Sequence, residues 1–188
     1  MPTNKSTGMD GLTVEFYRVF WDILGPDLAT VWAESLQGGV LPLSCRRAVL
    51  ALLLKKGDLR DLRNWRPVLL LSTDYKIVAK AISLQLGSVM ADVIHPDQTY
   101  TVSEKAFDRV DHGYLLGTLQ AFGFGPPFVS FLRVLYASAE RLVRLNWTLT
   151  EPVSFRRGVQ QGCPLFTISS MTAEDYGEFV HETSSKAL

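Results

Sequence analysis

Positive side chains collect in one stretch of the chain, between residues 46 and 66. Seven cations lie there against two acidic residues: Arg46, Arg47, Lys55, Lys56, Arg60, Arg63 and Arg66, against Asp58 and Asp61. Such a cluster can bind phosphate groups, and the planar guanidinium of arginine does so through two parallel hydrogen bonds. The alternative is a solvated charged face, which is the commoner origin of a charge run.

The charge of the whole chain does not favour nucleic acid. Its 188 residues include 19 Lys plus Arg and 19 Asp plus Glu, so the net charge is zero, whereas nucleic-acid binders are often basic. The length and the 47% of hydrophobic residues are typical of one globular domain. Two cysteines, Cys45 and Cys163, provide neither a disulfide framework nor a zinc spacing, which predicts a reduced, intracellular setting in the nucleus or the cytoplasm.

No segment has the pattern of a membrane anchor or a secretion signal. The N-terminal residues lack an apolar stretch, and the longest apolar run, Ala48–Leu54, is far shorter than the ~20 residues of a membrane helix. We therefore expect no membrane partner. The run itself is typical of a buried strand.

Two strands are predicted to hold the central cations. The apolar runs Val49–Leu54 and Val68–Leu71 are joined by the polar segment Lys55–Pro67, which is the pattern of two strands with a charged loop between them. The loop would present Lys55 and Lys56 at one end and Arg66 at the other.

Helices and a second hairpin are predicted around these strands. The first helix has Thr13 as a cap and a break at Gly25-Pro26, and the second ends at Gly38-Gly39. The next begins at Ser72–Asp74, and another begins at Pro126-Pro127. Further expectations are a helix that carries Leu115, Leu116, Leu119 and Phe122 and closes at Gly123, and a hairpin that pairs Leu142–Trp147 with Val153–Phe155. The fold class is therefore α+β.

Five sequence blocks occur in one order along the chain. They are KSTGMDGLTVEFY (5–17), LLLKKGDLRDLRNWRPVLLLSTDYKIVAKAIS (52–83), IHPDQTYTV (94–102), EKAFDRVDH (104–112) and RGVQQGCPL (157–165). The series resembles the fingers and upper palm of the reverse transcriptases of LINE-type (non-LTR) retrotransposons, roughly from Thr3 to Leu165. The resemblance implies an incomplete right-hand polymerase, with a partial reverse transcriptase domain at 1–165 and a divergent tail at 166–188.

The resemblance also implies a set of nucleotide-binding residues. Lys55, Lys56 and Arg66 match the family's cations that contact the incoming triphosphate. Phe107 matches the bulky residue that excludes a ribose 2′-OH, although an aromatic there also suits a helix start in the core. Gln161-Gly162 matches the turn that packs against nucleotide and template.

The chain departs from the family at the catalytic centre. The family's first metal-binding aspartate lies five residues before the position of Phe107, where this chain has Val102. Valine offers no oxygen to Mg²⁺, and Glu104, two residues further along a strand, would place its carboxylate ~6.5 Å away. Family members have an additional stretch before the EKAFD block, and this chain lacks it. We therefore expect a deletion at the 102/103 junction. A splice junction or a gene-model junction would produce such a deletion.

The second group of metal ligands is also missing. The family's paired aspartates follow the GCPL block at a distance, and residues 166–188 contain no Asp-Asp pair. We therefore expect no catalytic residue and no metal or other cofactor in this chain, although the parental family uses Mg²⁺. The expected identity is an inactive fragment of an RNA-directed DNA polymerase, with weak binding of RNA or DNA at most. Two alternatives stay open: a residual nucleic-acid-binding module, and an inert relic; the oligomeric state is open too.

One more group of residues could hold a metal. Asp108, Asp111 and His112 lie within five positions, and Asp108 and His112 would share one helical turn. Acidic residues at a helix start are more often caps and partners of the helix dipole, so we interpret this group as a cap.

Overall fold

The computed structural model describes residues 1–93, 111–145, 148–155, 157–158 and 163–165, with the backbone alone for 88–93. In these residues the helices are α1 (Val14–Val19), α2 (Trp21–Gly38), α3 (Leu43–Arg46), α4 (Thr73–Val93), α5 (His112–Ala121) and α6 (Pro126–Tyr136). The strands are β1 (Arg47–Leu54), β2 (Trp65–Leu70), β3 (Glu140–Leu145), β4 (Thr148–Leu149) and β5 (Val153–Ser154), and a 3-10 turn covers Leu62–Asn64. The expected mixture of helices and strands is present, while the polymerase-type fold stays a prediction.

The strands form one mixed sheet in the order β2-β1-β3-β4, with β5 also paired to β3. Strands β1 and β2 are antiparallel, from Val49 opposite Leu70 to Leu54 opposite Trp65, so the predicted pair of strands is confirmed. Strand β3 lies parallel to the first half of β1. The predicted second hairpin is present with a different register. Strand β5 pairs antiparallel with Glu140 and Arg141, before the predicted segment, and Arg144 and Leu145 pair with β4 instead.

The prediction that Ala48–Leu54 is buried throughout is wrong. Ala48 and Val49 are buried, but Leu52, Leu53 and Leu54 are exposed by 37%, 55% and 44%. The reason is the short pairing of β3, which reaches β1 only up to Leu50. Beyond that point β2 is the only strand paired with β1 among the described residues.

The predicted helix starts and stops are confirmed except at Gly25-Pro26. Oγ1 of Thr13 accepts a hydrogen bond from the backbone N–H of Phe16 at 3.2 Å, and Gly39 ends α2 in the left-handed conformation at φ 73°. Helix α2 runs through Pro26, and the break lies earlier, at Phe20. The Phe20 carbonyl accepts from the N–H groups of Ile23 and Leu24, so a new helix starts there. The exposed Pro26 removes only one hydrogen bond from an 18-residue helix.

The core lies where α2, α4, α5 and α6 meet one another and the sheet. Trp32 of α2 stacks on Phe131 of α6, with their ring centroids 5.2 Å apart. Tyr75, Leu115 and Leu132 are buried in the same cluster. Within the part of the chain that the structure describes, no helix is both long enough and apolar enough to cross a membrane.

Candidate nucleic-acid interface

The β1–β2 hairpin presents the three predicted triphosphate contacts at its end. Lys55, Lys56 and Arg66 are all exposed. Arg66 lies directly opposite Leu53, and the N–H of Lys55 donates to the Asn64 carbonyl at 2.8 Å, which extends the ladder by one residue. Side chains alternate along a strand, so Lys55, two residues after Leu53, lies on the same face as Arg66. The hairpin therefore brings these two cations together.

Hydrogen bonds within the loop fix its shape. Oδ1 of Asp58 accepts from the N–H of Arg60 at 2.9 Å, and Nδ2 of Asn64 donates to the Asp58 carbonyl at 3.0 Å. The indole N–H of Trp65 donates to the Leu59 carbonyl at 3.0 Å. Gly57 adopts φ 96°, a conformation that side chains rarely allow. The neighbouring cations are thus held on an ordered loop.

The predicted cluster of seven cations divides into different environments. Arg63 pairs with Asp61 at 3.0 Å, and these hydrogen bonds lower the pKa of the Asp61 carboxyl. Arg47 pairs with Glu140 at 2.8 Å. Among the described residues no ion pair involves Lys55, Lys56 or Arg66. Their charges remain available to a ligand.

A cavity of about 580 Å³ lies beside β2 and carries three more lysines. It is lined by Met1, Pro2, Lys5, Ser6, Val14, Val68, Leu69, Leu70, Thr73, Lys76, Lys80, Cys163 and Pro164. None of these lining residues is acidic, so the charged groups at its wall are all positive. This arrangement favours an anionic ligand.

Lys76 ties the N-terminal segment to α4. Its ammonium group donates to the Ser6 carbonyl at 3.0 Å. Burial lowers the pKa of Lys76, and the nearby carboxylate of Asp10 partly opposes this shift. The hydroxyl of Thr73 donates to the Leu12 carbonyl at 2.6 Å. These bonds seat residues 6–12 against the start of α4.

The hairpin cations and the cavity lie along the same strand, β2. Val68, Leu69 and Leu70 all line the cavity, so residues that alternate between the two faces of β2 border it. Arg66 and Leu70 are four residues apart, about 13 Å along a strand.

Sequence reasoning missed the cavity lysines. Lys76 and Lys80 are four residues apart on α4, a spacing that places both on one side of a helix. That spacing is visible in the block at 52–83, but the approach of Lys5 is not, because it depends on contacts across about 70 positions.

Several predicted site residues lie outside the described part of the chain. They are Phe107, Gln161 and Gly162, together with Val102, Glu104, the 102/103 junction, Asp108 and the tail 166–188. The cap interpretation is confirmed for Asp111, whose carboxylate accepts from the N–H groups of Gly113 and Tyr114. Cys45 and Cys163 are both buried free thiols.

Comparison with known proteins gives one informative relative. A Xenopus laevis protein described as "Transposon TX1 uncharacterized 149 kDa protein" is 59% identical over 197 residues, which cover 88% of this chain and 15% of that protein. This chain thus spans only 15% of the length of the relative. No protein-family model matches the chain.

The alignment has 197 positions, which is more than the number of residues of this chain that it includes. Since 88% of 188 residues is about 165, about 32 of the 197 aligned positions have no counterpart here. The identity of the aligned residues is nonetheless high, far above what unrelated chains share. The comparison supports a non-LTR retrotransposon origin for this chain.

Proposed function

We propose that this chain is a remnant of the fingers and partial palm of a retrotransposon reverse transcriptase that binds nucleic acid weakly and does not synthesise DNA. The observation that carries the binding part is that Arg66 and the cavity lined by Lys76 and Lys80 lie along the same strand, β2. The ordered blocks of sequence and the transposon relative support the origin.

Binding follows from counterion release. Each lysine or arginine that neutralises a backbone phosphate releases a condensed cation, so a few such contacts give weak, salt-dependent affinity without sequence preference. Lys55, Arg66, Lys76 and Lys80 provide a small number of contacts along β2 and the cavity beside it. We therefore expect binding of RNA or DNA single strands at low salt that is lost as salt rises.

The absence of DNA synthesis follows from side-chain chemistry at position 102. In the parental family two Mg²⁺ ions would stabilise the attacking and leaving oxygens of nucleotide addition. Mg²⁺ takes oxygen ligands in near-octahedral geometry, and Val102 has no side-chain oxygen. Asp111, the first described residue after position 102 in the sequence, is already engaged as a helix cap. The residues present do not fit the metal pair.

An internal deletion explains how the aspartate was lost. The block TYTV at 99–102 runs directly into SEKAFD at 103–108, where family members have an intervening stretch. The shortfall of about 32 aligned positions relative to the transposon protein supports a loss of this kind. In this proposal the first metal ligand went with the missing segment.

Primer extension tests the catalytic part of the proposal. The purified chain is incubated with an RNA template, a DNA primer, deoxynucleotides and Mg²⁺ or Mn²⁺, beside an active reverse transcriptase as a positive control. We expect no extended product. Metal-dependent extension that follows the chain through purification would overturn this part.

Fluorescence anisotropy with a labelled single strand tests the binding part. We expect Arg66→Ala and Lys80→Ala each to weaken binding several-fold at low salt. Arg133→Ala is the matched control, because it removes the same charge from an exposed position on α6, away from the cavity. Equal effects of all three variants would indicate that net charge, rather than a particular surface, determines the affinity. No binding at low salt would contradict the proposal.

A melting experiment separates this proposal from an inert relic. The described core includes four packed helices and a sheet, which supports a chain that folds. We expect a cooperative thermal transition in circular dichroism. A featureless, non-cooperative melt would favour the relic.

A further inference from the structure

A second cavity lies at the opposite end of β1 from the hairpin. Its volume is about 540 Å³, and it is lined by Arg46, His112, Tyr136, Ser138, Glu140, Ser154 and Phe155. Arg46 and Lys55 are nine residues apart along an extended strand, which corresponds to about 30 Å. It shares no lining residue with the cavity beside β2, so the two cavities are separate, and no step of the proposed function uses it.

Arg46, which lines this cavity, has a buried hydrogen-bond donor without an acceptor among the described residues. Its Nε is enclosed and has no hydrogen-bond partner among the described residues. A guanidinium can only donate, and a charged donor that is buried without an acceptor costs more than the ~1–3 kcal/mol of a neutral one. The cavity wall thus holds a cation that requires an acceptor.

The charges around the cavity favour an anion. Glu140 is the acidic residue of the lining, but its carboxylate is held by Arg47 at 2.8 Å. Arg141 places its guanidinium carbon 3.2 Å from the centre of the Phe155 ring, at the edge of the same site. Asp111, which lies near His112, is likewise opposed by Arg157 at 4.0 Å. With Glu140 offset by Arg47, the charge of Arg46 leaves the described lining positive.

Aromatic rings form the other wall. The rings of His112 and Tyr136 have centroids 4.5 Å apart, and those of His112 and Phe155 are 5.3 Å apart. Nε2 of His112 lies 2.9 Å from the Gly158 carbonyl, which can only accept, so Nε2 carries the proton and Nδ1 is left as an acceptor in the neutral ring. Such a wall suits a planar ring with hydrogen-bonding groups.

We propose that this cavity binds an organic phosphate monoester with an aromatic ring, of the size of a nucleoside monophosphate. The phosphate would pair with Arg46, and the ring would lie against the wall formed by His112, Tyr136 and Phe155. A volume of about 540 Å³ exceeds what an inorganic anion fills and falls within the ~300–1,000 Å³ of small-molecule sites.

Calorimetric titration with deoxyadenosine 5′-monophosphate tests the proposal. We expect saturable binding at millimolar concentration or below, with deoxyadenosine and inorganic phosphate each at least about tenfold weaker. Arg46→Gln should weaken binding at least about tenfold, whereas Arg60→Gln, in the exposed hairpin loop, should leave it unchanged.

A second variant covers the case in which Arg46→Gln fails to fold. Ser154 is exposed at the rim of the cavity on β5, so Ser154→Trp fills the site from outside the core and should abolish binding. Binding retained by folded Ser154→Trp or Arg46→Gln would overturn the proposal. So would loss of binding in Arg60→Gln, equal affinity for deoxyadenosine or inorganic phosphate, or no saturation up to about 10 mM.

Discussion

Nε of Arg47 donates to Oε2 of Glu140 at 2.8 Å, and the two residues also lie opposite each other in the parallel pairing of β1 and β3. The pair joins positions 93 residues apart in sequence. It therefore fixes the register of the only parallel pairing among the described strands. Strand β1 has the hairpin cations at one end and the Arg46 cavity at the other. Glu140 of β3 also lines that cavity.

A double-mutant cycle with Arg47→Ala and Glu140→Ala measures this ion pair. The side chains are 31% and 26% exposed, so solvent screens the attraction, and we expect a coupling of about 0.5–1 kcal/mol in the free energy of unfolding. Urea denaturation of the four proteins gives the value. A coupling near zero would mean that strand pairing alone sets the register.

Gly8 allows the N-terminal segment to lie directly against the chain at Ser72. A Cβ at position 8 would be 2.6 Å from the Cα and N atoms of Ser72, and backbone atoms cannot move aside cheaply. We expect Gly8→Ala to reduce the free energy of unfolding by about 1–3 kcal/mol. The measurement is chemical denaturation.

Gly117→Ala is the matched control for this substitution. Gly117 lies within α5, and a Cβ there meets nothing within 4 Å. Alanine should raise stability by about 0.5–1 kcal/mol, because it restricts the unfolded chain and favours the helix. Destabilisation of similar size by Gly8→Ala and Gly117→Ala would contradict the explanation by the close approach of Gly8 to Ser72.

The salt dependence of nucleic-acid binding should report on Lys76. A lysine that contacts phosphate contributes about 0.7 to the slope of log affinity against log salt for a single strand. We expect Lys76→Met to reduce the slope by about this amount, and Lys76→Arg, which keeps the charge, to retain most of it. An unchanged slope in Lys76→Met would mean that Lys76 does not contact phosphate and serves only in its hydrogen bond with Ser6.

Local rules were sufficient for much of the fold. Thr13, Gly39 and Pro126 mark helix ends through their own backbone and side-chain chemistry, and the sequence shows this directly. Pro26 was misjudged because one proline in an exposed turn does not outweigh the rest of a long helix. A rule based on one residue fails where the hydrogen bonds of the neighbouring residues offset the cost of that residue and keep the helix intact.

The sites depended on contacts that the sequence does not display. Lys55 and Arg66 were found because a hairpin brings them together over a short loop. The approach of Ser6 to Lys76 spans 70 positions, and the approach of His112 to Gly158 spans 46. The burial of Arg46 depends on packing between distant elements as well, so composition and spacing could identify its charge but not its cavity.

Cys45 predicts a loss of stability in alkali. Its thiol donates to Oδ2 of Asp74 at 3.2 Å, and burial, together with this carboxylate, raises the pKa of Cys45 to about 12 from the ordinary value of 9.0. The folded chain thus keeps a proton that the unfolded chain releases. The stability from this group is complete below pH 9 and is lost as the pH rises towards 12.

Denaturation at several pH values between 8 and 11 tests the prediction for Cys45. One proton corresponds to a loss of up to about 1.4 kcal/mol for each pH unit in this window. Cys45→Ala should lower the stability at pH 8, because it leaves a small void, but it should also flatten the decline above pH 9. Cys163, whose pKa burial also raises, should maintain part of the decline above pH 9 in the variant, and Tyr17, whose pKa burial raises to about 12, should add to it above pH 10. Parallel curves for the wild type and Cys45→Ala would show that the Cys45 proton is not linked to folding.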